Sequence, residues 1–505
     1  MELNVAKLCN IGPLFLSLIL VVSLVIWLNL AQRKKLNLPP SPPKLPIIGN
    51  IHQLGKLPHR SLGDLSRKYG SLLLLQLGHN PTLVVSSAEM AREIIKNHDI
   101  VFSNRPSTTA ANILLYGCSD IAFAPYGEYW RQVRKVCVLE LLSVRRVHSF
   151  QFVRDEEVEL VINKIRRASV KGESINLAEM LMALAYNIVS RCTVSRKFEE
   201  EDGNSKFGQL ARRLLGLLMS FCIGDMFPYL RWLDLLTGFI PRVKAVNREI
   251  DAFFDQIIEK HRALKSHDEV PKRKDFASII LQLQEDGLLE MDLTQDNLKA
   301  IILDMFLGGT DTSATTEEWL MAELLKNPNV MKKVQEEVRN VVGKKSKIDV
   351  NDINKMEYLK CVIKETLRLH PVAPLLIPRQ TTASVKLGSY DIPSNVRVLI
   401  NVWAIQRDPN WWEKPEEFIP ERFENSPVDF KGQDFQFLPF GCGRRICPGM
   451  QFAVASIENV VANLLYWFDW KLPAGENAEN LDMSEVYGLT VNKKVPLSLL
   501  PISHL

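Results

Sequence analysis

The sequence has no internal repeat, no low-complexity block and, beyond its first fifty residues, no long polar linker. Its 505 residues, which by length alone could form several domains, therefore read as one large domain. Charge of one sign is also lacking. With 62 basic and 58 acidic residues the net charge is +4, too balanced for a nucleic-acid partner, so any basic patch must be local. Cysteine is sparse: eight residues are scattered with no disulfide framework. The one Asn-x-Ser/Thr triplet, Asn80-Pro81-Thr82, is blocked by its proline. Both features favour a reducing, cytosolic setting for the body of the protein.

What is present begins at the N-terminus. From Ile11 to Leu30 the residues are almost all apolar, interrupted by Ser17, Ser23 and Asn29, and Arg33-Lys34-Lys35 follows at once. A run of about 20 apolar residues suits a membrane-spanning helix. A cleaved secretory signal is the alternative, but its apolar core is shorter and needs a small-residue cleavage site, which is not evident before the basic cluster. Positive charge downstream predicts that the following domain stays on the cytosolic side. Next, Leu38-Pro39-Pro40-Ser41-Pro42-Pro43-Lys44-Leu45-Pro46 is too rich in proline for a helix and reads as an extended, stiff spacer. These segments divide the chain into a lumenal N-terminus (1–10), a transmembrane signal anchor (11–31), a basic and proline-rich hinge (32–50) and a catalytic domain (51–505).

In that domain, the apolar runs Ser71 to Leu77 and Thr82 to Val85 flank Gly78-His79-Asn80-Pro81, which predicts a hairpin. Ser87-Ala88-Glu89-Met90 predicts a capped helix start. The densest pattern is Phe440-Gly441-Cys442-Gly443-Arg444-Arg445-Ile446-Cys447-Pro448-Gly449, followed by an apolar segment from Met450. A cysteine is a metal ligand only as a thiolate, and a Gly-rich turn, a following helix N-terminus and nearby Arg445 all favour that form at Cys447. A lone cysteine before a helix is usually an inert, buried small hydrophobe, but the fixed grammar Phe-x-x-Gly-x-Arg-x-Cys-x-Gly weighs against that here. Cys442 fits no zinc spacing and reads as structural.

This loop resembles the metal-binding loop of the cytochromes P-450, the haem-thiolate monooxygenases, and the resemblance extends from the hinge to the C-terminus. It implies a mainly α fold with a small β-rich region, here preceded by one N-terminal transmembrane helix. It also implies that Cys447 ligates the iron of haem b (iron protoporphyrin IX), that Arg445 faces a propionate and that Phe440 packs beside the sulfur. A thiolate ligand favours O–O cleavage at the opposite face of the haem. Trp130 and Arg134, four apart on one helix face, match the family's Trp-x-x-x-Arg element, whose N–H donors bind propionates. Arg379 matches its further propionate-binding arginine.

A helix from about Leu293 to Leu325, capped by Thr294, would be roughly 48 Å long. It carries Gly308-Gly309-Thr310-Asp311-Thr312-Ser313, although each interior glycine costs about 1 kcal/mol. Its resemblance to the family's oxygen-side helix implies that the Thr312 hydroxyl turns to the carbonyl of Gly308 and that Asp311 and Thr312 deliver protons to bound oxygen. Glu365 and Arg368, with Arg422 of Pro420-Glu421-Arg422-Phe423, match the family's Glu-Arg-Arg network, a structural support for the Cys447 loop. Asn401-Val402-Trp403-Ala404-Ile405-Gln406-Arg407-Asp408-Pro409 resembles the plant A-type enzymes, the seventy-one clan.

The resemblance therefore implies a microsomal monooxygenase in the endoplasmic reticulum membrane, single-pass, with its catalytic domain facing the cytosol. Electrons come from NADPH through a reductase, which meets Arg131, Lys135, Lys431 and Arg444. With O2, the enzyme oxidises a small apolar specialised metabolite, a terpenoid or a phenylpropanoid- or coumarin-like compound. The pocket implied is Phe123, Ile301, Met305, Gly309, Ala373, Leu375, Ile377 and Leu489, with Thr310 and Thr490 as polar groups and no arginine to clamp an anion. Two alternatives are a haem-thiolate isomerase or dehydratase acting on peroxides without a reductase, and a non-enzymatic haem sensor or electron carrier.

Overall fold

A computed structural model describes residues 21, 36–197, 206–266, 274–473 and 475–504. Apart from Val21, the expected anchor at 11–31 and the start of the hinge lie outside the described residues. The rest of the hinge, 36–50, lies against the domain: Leu74 N donates to Pro40 O at 2.9 Å and Asn50 N to Gln76 O at 2.6 Å. The buried Asn50 also accepts from Gln76 N at 2.8 Å.

The β-rich region begins with β1 (Leu72–Leu77) and β2 (Asn80–Val85), antiparallel, with Leu77 opposite Asn80 around Gly78. Gly78 has φ +58, a conformation that glycine adopts without a Cβ penalty. Ser87 then caps α1 (Ala88–His98), its hydroxyl accepting from Met90 N at 3.3 Å. Ala91, Ile94 and Ile95 share the buried face of α1.

The helical body contains α2 (Glu128–Val136), α3 (Leu177–Val194), α4 (Gln295–Gly309), α5 (Asp311–Lys326) and α6 (Glu357–Leu369). α3 is largely apolar because it packs against both α4 and α5 in the core. The start of α4 is fixed by a capping box in which Thr294 and Asn297 exchange side-chain and backbone bonds. Two strands after α6, β3 (Arg379–Gln380) and β4 (Arg397–Ile400), complete a sheet of order β1-β2-β4-β3, with β4 parallel to β2 and antiparallel to β3. Finally α7 (Met450–Trp467) runs through the core and packs on α5 and α6.

The long helix expected from about 293 to 325 is divided at Thr310, whose φ −94 and ψ −73 separate α4 from α5. The cause is local. Thr310 Oγ1 donates to Phe306 O at 2.8 Å and Thr312 Oγ1 to Gly308 O at 2.7 Å, so hydroxyls compete for carbonyls beside two glycines.

Candidate active site

Between β4 and α7 the loop around Cys447 is built by its own backbone. Cys447 N donates to Phe440 O at 2.9 Å, Gly441 N to Leu438 O at 2.9 Å and Ile446 N to Gly443 O at 3.1 Å. Gly443 has φ +65, and a Cβ there would sit 2.8 Å from Asp99 Oδ1, the carboxylate that anchors Arg444 N at 2.9 Å. Only glycine fits. Burial pushes the Cys447 thiol up, while the N–H groups of Gly449 and Met450 and the charge of Arg134 pull it down without prevailing. The cation acting on the sulfur is thus Arg134 rather than the expected Arg445. A bound metal ion would supply the remaining stabilisation of a thiolate.

Four guanidinium groups, Arg105, Arg134, Arg379 and Arg445, line the same cavity as Cys447. Each is tied to backbone carbonyls. Arg445 bonds Ser103 O, Ile121 O and Ala124 O, and Arg105 bonds Ala122 O, Ile377 O and Pro378 O. Arg134 bonds Ile446 O at 2.6 Å and Arg379 bonds Cys442 O at 2.7 Å. Burial and mutual repulsion push Arg445 down to about 9 and lower Arg105 well below the usual range, against a weaker opposing pull from Asp120. Such a cluster fits a group bearing two carboxylates, as the two propionates of haem do. Trp130 sits behind it. Its Nε1 donates to Ile121 O at 3.0 Å, and Arg445 lies over its ring at 4.1 Å. Trp130 therefore braces the arginines instead of facing the cavity.

The cavity, of about 310 Å³, meets α4 and α5 along Asp304, Met305, Gly308, Gly309, Asp311 and Thr312. A Cβ added to Gly308 would meet nothing within 4 Å, so this glycine leaves open space at the wall. Asp311 accepts from the Thr490 hydroxyl, and burial raises its carboxyl above the usual carboxylate range. Phe123, Ala373, Ile377 and Leu489 also line the wall, as do Arg134, Arg379, Phe440, Arg445 and Cys447.

Three sequence expectations are corrected. Ile301 is fully buried in the core, because the cavity meets α4 only from Asp304 onward. Leu375 packs under the sheet with Leu73, Leu75 and Val84, whereas Leu376, at φ +52, turns the chain so that 376 and 377 reach the wall. Thr310 is turned onto Phe306 O and is absent from the cavity. Sequence reading also missed Arg105, Asp120 and Asp304. Asp304 accepts from Ile121 N at 2.5 Å and pins residues 120–124 to α4, while Asp120 accepts from Phe123 N at 2.8 Å. Burial and the nearby Asp120 raise the Asp304 carboxyl well above its ordinary value.

Glu365 and Arg368, both fully buried, bond at 2.7 and 2.8 Å, and Arg422 Nε reaches Glu365 Oε1 at 3.0 Å. Arg368 also holds the carbonyls of Gln406, Pro415 and Glu417. Gln406 in turn accepts from Leu438 N at 2.9 Å, two residues before Phe440. The ion-pair network is thereby connected to the Cys447 loop through Gln406.

Comparisons with known proteins agree with this architecture. The cytochrome P-450 family model matches residues 39–500. A phenylacetaldehyde oxime monooxygenase of Prunus mume is 54% identical over 502 residues, covering 97% of this chain and 95% of its own length. Desmethylyatein synthase of Sinopodophyllum hexandrum is 50% identical over 486 residues, 96% of this chain and 98% of that protein. Among solved structures, a zebra fish cytochrome P-450 with progesterone superposes with a TM-score of 0.74 at 25% identity, covering 88% of this chain and 99% of that one.

Proposed function

Because the chain belongs to the cytochrome P-450 family and is a monooxygenase of its plant seventy-one type, we propose that it inserts one oxygen atom from O2 into a small, largely apolar specialised metabolite, a terpenoid or a phenylpropanoid- or coumarin-like compound, using haem b and electrons from an NADPH-dependent reductase. The observation that carries this reading is one cavity bordered by Cys447, the buried Arg105, Arg379 and Arg445, the half-buried Arg134 and the glycine-opened turn at Gly308 and Thr312. The haem, when bound, supplies oxygen activation. Cys447 is its ligand, and Arg105, Arg134, Arg379 and Arg445 hold its propionates, consistent with a guanidinium cluster short of negative charge.

The chain's own contribution on the oxygen side is proton handling. The Thr312 hydroxyl, fixed on Gly308 O, and the Asp311 carboxyl, bonded to Thr490, form an acid and alcohol at the cavity wall. Thr312→Ala is expected to retain haem and NADPH consumption while diverting reduced oxygen to peroxide. Product and peroxide measured per NADPH check this. Coupling equal to that of the unaltered enzyme would remove Thr312 from the proton path.

The substrate class is supported by the largely apolar wall at Phe123, Met305, Leu376, Ile377 and Leu489. The relatives named as a phenylacetaldehyde oxime monooxygenase, a desmethylyatein synthase and a desmethyl-deoxy-podophyllotoxin synthase point the same way. With the four arginines assigned to propionates, an anionic substrate has no free cation left among them. Binding-difference spectra over a panel of such compounds, with turnover measured with and without reductase and NADPH, test the proposal. Turnover of peroxides without reductase would instead favour an isomerase or dehydratase.

A membrane location draws support from exposed apolar side chains near the hinge. Tyr229 is 86% exposed, and Trp232, Leu235 and Leu236 are exposed beside it. Ile47, 83% exposed, lies on the same side, because Gly78 N donates to Ile48 O at 3.2 Å and His79 N to Met226 O at 2.8 Å. Such a patch suits the lipid surface to which residues 11–31 would anchor the chain. In intact microsomes, external protease is expected to digest the catalytic domain and leave a short membrane stub; full protection would reverse the orientation. The reductase is proposed to meet the exposed Arg131, Lys135, Lys431 and Arg444, each of which has an acidic neighbour, Glu128, Glu290, Asp429 and Asp99 respectively. An acidic protein surface can exchange with such neighbours.

A further inference from the structure

α5 carries three consecutive or near-consecutive buried glutamates, and only two are satisfied. Glu318 accepts from Leu497 N at 2.9 Å, and Glu323 pairs with His370 at 2.7 Å. Glu317, 2% exposed, has no hydrogen-bond or ion-pair partner among the described residues. One turn earlier, the buried hydroxyl of Ser313 is also unpartnered. Spaced by four, the two side chains share a helix face. Both line a small void bounded by Val189, Gly309, Phe452 and Ser456, with about 10 Å³ open to the centre of a water molecule, close to what one buried water needs.

This void adjoins the main cavity. Val189, Gly309, Ser313 and Phe452 border both spaces. From α3 and α7, the elements packed against the void, only apolar side chains and Ser456 face it, and the Ser456 hydroxyl is already committed to Phe452 O at 2.9 Å. No charged group on those elements compensates Glu317, and burial alone holds its carboxyl well above the usual range. A buried polar group without a partner is costly and rare. A water in the void would satisfy Glu317 and Ser313 together.

We propose that Glu317 and Ser313 bind one water in this void and form an internal proton store that feeds the oxygen side of the cavity. The inference rests on the monooxygenase reading given above. In each turnover O2, two electrons from the reductase and two protons yield one oxygen atom in the product and one water. The Glu317 carboxyl gives one proton to the bound water, which passes one through the Ser313 hydroxyl toward the Thr312 side. The carboxylate regains a proton along the same chain from bulk solvent through water entering the cavity before the next turnover, so both protons consumed come in the end from solvent. Glu317 touches neither substrate nor cofactor in this scheme and acts through Ser313 and the water.

The test uses haem-loaded, full-length enzyme with reductase, NADPH and a compound it turns over, with results expressed per haem. Glu317→Gln and Glu317→Leu are each expected to lower product formed per NADPH by at least about threefold, with peroxide rising, and Ser313→Ala to do the same. The infrared band of a protonated, deuterium-exchangeable carboxyl should be present in the unaltered enzyme and lost in Glu317→Gln. Glu317→Leu should unfold at no lower temperature, because an unpaired buried polar group has been replaced by an apolar one, so its uncoupling cannot come from a weakened fold. If coupling is unchanged in both Glu317 variants while Thr312→Ala uncouples, this proposal is overturned and the monooxygenase reading stands. If Thr312→Ala also leaves coupling unchanged, the assignment of the oxygen side falls as well, and this inference with it.

Discussion

Cys447→His is expected to abolish product formation and to remove the absorption band characteristic of a thiolate-ligated, reduced carbonyl complex, while much of the protein stays folded. The cysteine is held by Phe440 O through its own N–H and borders the cavity. An imidazole can still bind iron, but it is neutral and does not supply the electron donation that favours O–O cleavage. Because burial pushes the thiol up despite Arg134 and two backbone N–H groups, the apo-protein should hold Cys447 as the thiol, and titration of the haem into it should release a proton. The carbonyl difference spectrum and proton release on haem binding check the two halves of this account. A retained thiolate band in Cys447→His would move the ligand elsewhere.

Arg368→Leu is expected to have the second large effect. It leaves Glu365, fully buried, with Arg422 as its one remaining cation, strips the Gln406 and Pro415 carbonyls of their donor and leaves the Glu417 carbonyl only a long bond from Arg422 at 3.5 Å. Breaking one partner of a buried pair costs about 3–5 kcal/mol, enough to unfold a marginal domain. Because Gln406 couples this network to Leu438, the loop bearing Cys447 should loosen as well. The variant should be recovered with little haem per polypeptide and a lowered denaturation midpoint. Haem content and stability equal to those of the unaltered enzyme would mean that the network does not support the loop. Arg131→Ala, which removes an exposed pair with Glu128, should leave both measurements unchanged.

These contrasts also explain what could be read from the sequence. The Cys447 loop was legible because several residue types are fixed at close spacing by one turn. Arg134 and Arg379 were legible through the family resemblance, as was the Glu365, Arg368 and Arg422 set, whose side chains the fold brings into contact. Arg105, Asp120, Asp304 and Gln406 were not legible, because an isolated polar residue in a helical or loop pattern looks the same whether it faces solvent or the interior. Their burial is decided by distant segments, as when residues 120–124 close over Asp304. Glu317 was hidden for the same reason, next to a second glutamate in an apolar helix. The hairpin at Gly78 and the capping at Ser87 and Thr294 are local and were readable. The break at Thr310 depends on hydroxyls choosing carbonyls, which a helical period does not report.

The central claim, that one oxygen atom of O2 enters the substrate through a reductase-driven cycle in this cavity, is tested most directly by turnover under isotopically heavy dioxygen. With reductase, NADPH and a compound that shifts the haem spectrum, mass analysis should find one heavy oxygen atom in the first hydroxylated product and the other in water, with no product when NADPH is withheld. Product lacking heavy oxygen, or formed equally well without reductase and NADPH, would contradict the account.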